Sequence, residues 1–187
     1  MKLFIKNMVD NNCKKIVKSV LQEFGLHCTS VNIGYVSIRE NISAEQRIFL
    51  EAALLKYGLE LIDEKKNSIT EKVKNVIIQM IHYSDDELPK TKYSDYISRK
   101  LNYNYTYISN TFSEVKGTTV EQYIIAHKIE RVKELLIFSE LTLSEIAWKL
   151  HYSSVGHLSG QFKKVTGITS SFYKKMKQKN IFSFKPI

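Results

Sequence analysis

Hydrophobic and polar positions in the first third of the chain follow two different periods. Leu3 and Ile5 alternate with their neighbours as in a short strand, and residues 13–24 then repeat hydrophobic positions every three or four residues as in a helix. Gly25 follows this helix at the position where a glycine commonly ends one. Alternation resumes on both sides of Gly34, which predicts a β-hairpin.

The same segment closes with a second helix and a last strand. Ser43 and Gln46 have the spacing of a capping box at the start of a helix, and Gly58 follows its last turn. Residues 59–62 predict the last strand. The predicted order is therefore βαββαβ, which is the ferredoxin-like arrangement of an α+β domain.

The pattern changes beyond residue 66. Ser68 and Glu71 have the spacing of a further capping box, which predicts the first helix of a second domain. The acids and the proline of residues 84–89 predict a surface loop. We therefore divide the chain into an accessory domain over residues 1–66 and an all-α domain over residues 67–187.

The second domain contains an internal repeat. The pattern over residues 97–117 recurs over residues 146–167, with one extra residue in the turn. Each copy predicts a short helix, a turn and a second helix that ends at a glycine, as in a helix-turn-helix unit. A single copy would fit any pair of packed helices, but two copies favour helix-turn-helix units at about residues 93–117 and 143–167.

A long helix over residues 120–138 joins the two units. Nineteen residues span about 28 Å, which approaches the ~34 Å between successive major-groove openings on one face of B-DNA. Such a spacer lets both second helices enter neighbouring major-groove segments. Its periodicity places Ile125, Ile129, Val132 and Leu136 on the inner face, and Lys128, Arg131 and Glu134 on the outer face.

Positive charge is concentrated in the second domain. The chain has 28 Lys and Arg against 19 Asp and Glu, a formal net charge of +9. Residues 1–66 carry ten basic and eight acidic groups, whereas residues 163–187 contain seven lysines and no acid. This excess indicates an acidic partner, and together with the paired helices it favours double-stranded DNA.

Composition excludes several other classes of protein. A hydrophobic content of 43% with 25% charged residues is ordinary for a globular chain, which excludes disordered, collagen-like and disulfide-rich classes. Two cysteines and the lack of a secretory leader predict a cytoplasmic protein, and no apolar run approaches the ~18 residues that span a membrane. Scattered histidines without a phosphate-binding loop or nucleophile motif predict no enzymatic activity and no cofactor.

The second domain contains several spaced motifs, at residues 129–136, 141–147, 152–154, 162–167 and 171–173. Together these motifs resemble the C-terminal DNA-binding domain of AraC/XylS-type bacterial transcription regulators. Thr142 and Glu145 add a capping box at the start of the second unit. Where the family has a glycine in each inter-helix turn, this chain has Asn102 and His151, which adopt positive φ more readily than most residues.

The resemblance and the helix-turn-helix geometry place the outward N-terminal positions of each second helix at base edges. The candidate base contacts are Asn104, Tyr105, Thr106, Ser109, Asn110, Ser154, Val155, His157 and Ser159. Asn110 suits a bidentate contact to adenine, whereas His157 equally fits a packed position. The candidate phosphate contacts are Lys128, Arg131, Lys163, Lys164 and Thr166.

The first strand and its following loop resemble a heavy-metal-associated domain, whose motif is Met-x-Cys-x-x-Cys. Met8 and Cys13 match the motif, but Asp10 occupies the first cysteine position. A soft monovalent metal requires two thiolates, and Cys28 lies beyond the helix, about 18 Å away by helical rise. We therefore expect no metal site. Cys13 stays a weak candidate for an intermolecular metal bridge or a redox-sensitive thiol.

The sequence therefore supports two functional hypotheses. The first is a sequence-specific transcription regulator that contacts two adjacent major-groove segments, with RNA polymerase and a second copy of the chain as further candidate partners. The alternative is a metal-responsive sensor or metal chaperone that acts through the N-terminal domain.

Overall fold

The computed structural model describes residues 1–83 and 92–183, with side chains up to residue 177. The loop predicted at residues 84–89 lies outside the described residues. The chain divides into two compact units, Met1–Glu71 and Lys72–Ile187. In the described part of the chain, no helix is both long and apolar enough to cross a lipid bilayer.

The first unit has the predicted order of strands and helices. Its elements are β1 Lys2–Lys6, α1 Asn11–Glu23, β2 Cys28–Asn32, β3 Tyr35–Ile38, α2 Ala44–Leu55 and β4 Glu60–Ile62. The strands form one antiparallel sheet in the order β2-β3-β1-β4. The order βαββαβ is confirmed, and a core of aliphatic side chains from the sheet and both helices holds the unit together.

Local signals set the ends of these helices. The Ser43 hydroxyl accepts a hydrogen bond from Gln46 N at 3.1 Å, and the Gln46 side chain accepts one from Ser43 N at 3.0 Å. The predicted capping box of α2 is therefore present. Gly25 and Gly58 follow α1 and α2 with φ of +67° and +72°, a conformation that glycine adopts without steric cost.

The third helix begins earlier than predicted. Helix α3 spans Glu64–His82, so Ser68 lies inside the helix and not at its N-cap. The Asp63 carboxylate instead accepts hydrogen bonds from Lys65 N at 2.9 Å and Lys66 N at 3.2 Å, which satisfies the first free amides of the helix. The two compact units divide inside this helix, after Glu71.

The described part of the second unit beyond α3 is entirely helical. Its helices are α4 Tyr93–Leu101, α5 Tyr105–Lys116, α6 Val120–Phe138, α7 Leu143–Lys149, α8 Val155–Thr166 and α9 Ser170–Ser183. Helix α4 packs on α5, α7 packs on α8, and α6 contacts α5, α7, α8 and α9. Both predicted helix pairs are present, and α6 lies between them with the bounds expected from the sequence.

The two inter-helix turns have left-handed backbone geometry. Asn102 has φ of 55° and His151 has φ of 50°, as predicted for the positions where glycine is usual. The capping box of α7 is also present, because Glu145 N donates to the Thr142 hydroxyl at 3.3 Å and Thr142 N donates to the Glu145 carboxylate at 2.7 Å. Both inter-helix turns therefore form with Asn102 and His151 in place of glycine.

Candidate nucleic-acid interface

Helices α5 and α8 are equivalent elements of the two helix pairs. Each has 12 residues and ends at a left-handed glycine, Gly117 or Gly167. At the N-termini, the Asn104 side chain accepts from Thr106 N at 2.8 Å, and the Ser154 hydroxyl accepts from His157 N at 3.0 Å. Two predicted base contacts, Asn104 and Ser154, therefore act as N-caps and fix where each helix begins.

The outward face of α5 presents two polar side chains one turn apart. Thr106 and Asn110 are exposed, whereas Ile108 and Phe112 on the opposite side are fully buried. Ser109 is half-buried, and its hydroxyl donates to the Thr106 carbonyl at 3.2 Å. The structure thus brings Thr106 and Asn110 together on one accessible surface.

Tyr105 is held by the spacer helix. Its hydroxyl hydrogen-bonds the Glu121 carboxylate in the first turn of α6. Burial raises the pKa of Tyr105, and the same hydrogen bond lowers the pKa of Glu121. Tyr105, a predicted base contact, therefore links α5 to α6 through this hydrogen bond.

The outward face of α8 has little side-chain surface near its N-terminus. The second helices of the two units are offset by 50 residues, as Gly117 and Gly167 show. Gly156 and Gly160 of α8 therefore occupy the positions of Thr106 and Asn110 of α5. A Cβ atom added at Gly160 would meet nothing within 4 Å, so this surface is open backbone. The predicted contacts Val155 and Ser159 are both half-buried.

His157 is exposed beside the two glycines of α8. Its Nδ1 atom lies 3.0 Å from the Ser153 hydroxyl, and its ring lies edge-on to Tyr152 at 5.3 Å between centroids. These contacts orient the ring while leaving it accessible. His157 is therefore the exposed aromatic side chain of this surface.

Tyr107 was absent from the sequence-based candidates. It is 40% exposed, its ring lies 5.8 Å from that of Tyr103, and it occupies on α5 the position that His157 occupies on α8. The internal repeat contained this signal, because the 50-residue offset pairs Tyr107 with a residue that was predicted. We add Tyr107 to the candidate surface.

The predicted phosphate contacts separate into two groups. Lys163 and Lys164 are exposed in the last turn of α8. The Thr166 hydroxyl is instead engaged with the carbonyls of Phe162 and Ile168 at 2.8 and 3.0 Å. On α6, Arg131 Nη1 lies 2.8 Å from the Glu134 carboxylate. The two lysines are thus the most accessible cations of the set.

Lys128 does not lie on the outer face of α6 as predicted. The residue is only 6% exposed, and its Nζ atom lies 4.0 Å from the ring centroid of Tyr152 and 5.6 Å from that of Tyr93. Burial lowers the pKa of Lys128 to about 8. The two electron-rich rings give the ammonium a partner inside the unit, which explains why it is not directed to solvent.

The residues of the heavy-metal motif have structural roles. Met8 is buried in the core of the first unit, and the Asp10 carboxylate caps α1 by accepting from Cys13 N at 2.8 Å. This hydrogen bond lowers the pKa of Asp10. Cys13 and Cys28 are both free thiols. Among the described residues, no group of three or more His, Cys, Asp or Glu side chains is arranged to hold a metal ion.

Comparisons with known proteins agree on the second unit. Residues 97–176 match the family model described as a helix-turn-helix domain. The chain is 30% identical over 105 residues to the uncharacterized HTH-type transcriptional regulator YtdP of Bacillus subtilis (strain 168), covering 56% of this chain and 14% of that protein. It is 28% identical over 120 residues to the transposon Tn10 TetD protein of Escherichia coli, covering 64% and 84%.

A solved structure shares its fold with part of this chain. The transcriptional regulator from Chromobacterium violaceum, described among AraC-type DNA-binding domain-containing proteins, aligns with a TM-score of 0.51 and 17% identity. The alignment covers 60% of this chain and 95% of that one. Residues 97–176 therefore match a helix-turn-helix domain, and the chain shares its fold in part with a protein described as containing an AraC-type DNA-binding domain.

Proposed function

We propose that this chain is a sequence-specific DNA-binding transcription regulator of the AraC/XylS type. In this proposal, α5 and α8 are two recognition helices that enter adjacent segments of the major groove. The observation that carries it is the pairing of two equivalent helices, each capped at both ends, on the single spacer helix α6.

The length of α6 supports simultaneous contact by both helices. Its 19 residues correspond to about 28 Å, close to the ~34 Å helical repeat of B-DNA. Helix α6 contacts α5 directly and also contacts α7 and α8 of the second pair. A spacer packed in this way holds the separation between the recognition helices, so one chain presents two groove-binding elements.

We assign base contacts to the exposed positions of the two recognition helices. On α5 these are Thr106, Tyr107 and Asn110, and we assign to Asn110 a bidentate contact to adenine. Near the N-terminus of α8 the exposed side chain is His157, and the open backbone at Gly156 and Gly160 allows close approach to the DNA. Direct contacts are thus concentrated on α5.

We assign phosphate contacts to Lys163 and Lys164. Both side chains are exposed in the last turn of α8, and residues 163–187 contain seven lysines and no acid. Contacts to phosphates release counterions, so they strengthen binding to every sequence and make it depend on salt. They position the protein without selecting a sequence.

We propose that the N-terminal unit is a ferredoxin-like accessory domain related to heavy-metal-associated domains. Its antiparallel sheet with the order β2-β3-β1-β4 and the connection βαββαβ support this assignment. With Asp10 in place of a cysteine and engaged as a helix cap, we propose that this domain does not bind metal.

Asn110→Ala tests the assignment of base contacts. We expect the variant to lose about 1–3 kcal/mol of binding to the operator selected from random DNA, with little change on unrelated DNA. Fluorescence anisotropy at several stated salt concentrations measures both affinities. Asn41→Ala, an exposed asparagine of the first unit, is the matched control and should bind like the unchanged protein.

Lys163→Ala provides the complementary result. It should weaken binding to all sequences and reduce the slope of affinity against salt by about one. Equal losses on operator and unrelated DNA for Asn110→Ala would contradict its role as a base contact. If the unchanged protein bound no DNA at low salt, the proposed function itself would be wrong.

A further inference from the structure

Helix α2 is apolar on two opposite faces. Leu50 and Leu54 are fully buried in the core of the first unit, whereas Ile48, Phe49 and Leu55 are 63%, 66% and 58% exposed. Exposed apolar side chains that lie together on one surface commonly mark an interaction site. The outward face of α2 is therefore a candidate interaction surface.

The helical period defines the shape of this outward face. Ile48, Ala52 and Leu55 are spaced by four and three residues and form one stripe. Phe49 lies along one side of the stripe, in line with Glu45 one turn before it and near Lys56 at the end of the helix. The face thus has opposite charges at its two ends and a large side chain beside a small one at its centre.

We infer that this face binds the same face of a second copy of the chain, with the two α2 helices antiparallel about a twofold axis. An axis that passes beside residues 50 and 51 puts Glu45 opposite Lys56 of the second copy. The same axis puts Phe49 opposite Ala52 of the second copy, so a large side chain meets a small one. In a closed dimer both pairs occur twice.

The alternative orientation of the helices is unfavourable. A parallel pair in register brings Glu45 against Glu45 of the second copy and aligns the two helix dipoles, which repel. The antiparallel pair reverses both effects. The charges at the ends of α2 therefore favour a second copy in the antiparallel orientation. A partner that bound only through apolar contacts would not need these charges.

One feature of the face limits the strength of the dimer. Glu51 is exposed on the other side of the stripe, close to the proposed axis, where it meets Glu51 of the second copy. One helix per copy also forms a smaller interface than the ~800 Å² per partner of standard complexes. We expect a weak, concentration-dependent dimer. It forms without DNA, so its test is independent of the proposed function.

Sedimentation equilibrium of the full chain without DNA measures this association. Phe49→Glu places a charge in the apolar contact and should weaken the dimer at least ~tenfold. Ile33→Glu is the matched control, since Ile33 is 56% exposed at the turn between β2 and β3, and it should leave the dimer unchanged. Circular dichroism checks that both variants fold.

Two outcomes of this experiment would overturn the inference. A monomer at every concentration up to about 1 mM, the range of weak complexes, would mean that something other than a second copy covers the face. A dimer that Phe49→Glu leaves intact would place the contact elsewhere on the chain.

Charge exchange tests the antiparallel arrangement. Glu45→Lys and Lys56→Glu should each weaken the dimer, and the double variant should restore it because each end again meets its opposite charge. Glu51→Gln should tighten the dimer by removing the repulsion at the axis. Failure of the double variant to recover association, while both single variants fold, would overturn the arrangement.

Discussion

Lys128 connects both helix pairs to the spacer through two tyrosines. Tyr93 opens α4, and Tyr152 lies in the turn before α8, so one ammonium group contacts a ring from each pair. The Tyr152 hydroxyl is buried and has no hydrogen-bond partner among residues 1–83 and 92–183. Burial costs the charged lysine free energy, and the cation–π contacts offset part of this cost. The buried charge of Lys128 therefore lowers the stability of the fold, while its contacts with the two rings fix the position of the side chain.

Lys128→Met tests this balance, because it keeps a long side chain and removes the charge. We expect the free energy of unfolding at pH 7 to rise by about 1 kcal/mol, since the burial cost is larger than the cation–π gain. Urea denaturation of the two proteins measures the difference. Lys163→Met, at an exposed position, should change it little, and a less stable Lys128→Met protein would contradict the expectation.

The same comparison predicts a pH dependence. With its pKa lowered to about 8, folded Lys128 releases its proton before the unfolded chain does at about pH 10.4. The unfolded state then binds more protons, so this group makes the folded state more stable as pH rises through 8. Burial raises the pKa of Tyr93 and Tyr152, which acts in the opposite direction only above about pH 10. The advantage of Lys128→Met should therefore shrink between pH 8 and 10.

At the scale of the element, α8 combines strong ends with a weak interior. Ser154 caps its first turn and Gly167 closes its last, but Gly156 and Gly160 lie within the helix. Each interior glycine costs up to about 1 kcal/mol relative to alanine. Binding to DNA would therefore order α8 more than α5, which has a side chain at every interior position.

Gly160→Ala should stabilise α8. Because an added Cβ meets nothing within 4 Å, we expect the free energy of unfolding to rise by about 0.5–1 kcal/mol. Thermal denaturation followed by circular dichroism measures the change. Gly167→Ala is the opposing control, because φ of +79° strains any other residue and the variant should be less stable. A destabilised Gly160→Ala protein would show that the position is not open.

The sequence predicts elements whose limits depend on nearby residues. Capping boxes locate the starts of α2 and α7, because the hydrogen bonds that cap a helix are local. The predicted start of α3 was wrong because Asp63 and Ser68 are both residues that commonly cap helices, and spacing alone does not show which of them is the cap. Lys128 was misplaced for another reason, since the rings that receive it come from distant parts of the chain.

At the scale of the whole molecule, helix α6 lies between the two proposed recognition helices. Because α6 packs against α5 and against both helices of the second pair, we expect it to hold α5 and α8 at a fixed separation. A protein built this way should tolerate changes in operator spacing poorly. The two half-sites should lie one helical turn apart on the same face of the DNA.

Altered operators test this rigidity. Inserting about five base pairs between the half-sites turns them to opposite faces, so affinity should fall to that of a single half-site. Inserting about ten base pairs restores the face but exceeds the reach of α6, so affinity should stay low. Anisotropy titrations with the three DNA duplexes measure both effects. Recovery with the longer insertion would mean that the helices are not held at a fixed distance.

The two proposed recognition helices differ in the side chains that they would present to DNA, and this difference predicts a pattern in the operators. Helix α5 carries Thr106 and Asn110 where α8 carries Gly156 and Gly160. In an alignment of the operators, most of the information content should therefore lie in the half bound by α5. The half-site bound by α8 should vary among promoters. Mutations in that half-site can then change the affinity of an operator while the protein still recognises it through the half-site bound by α5.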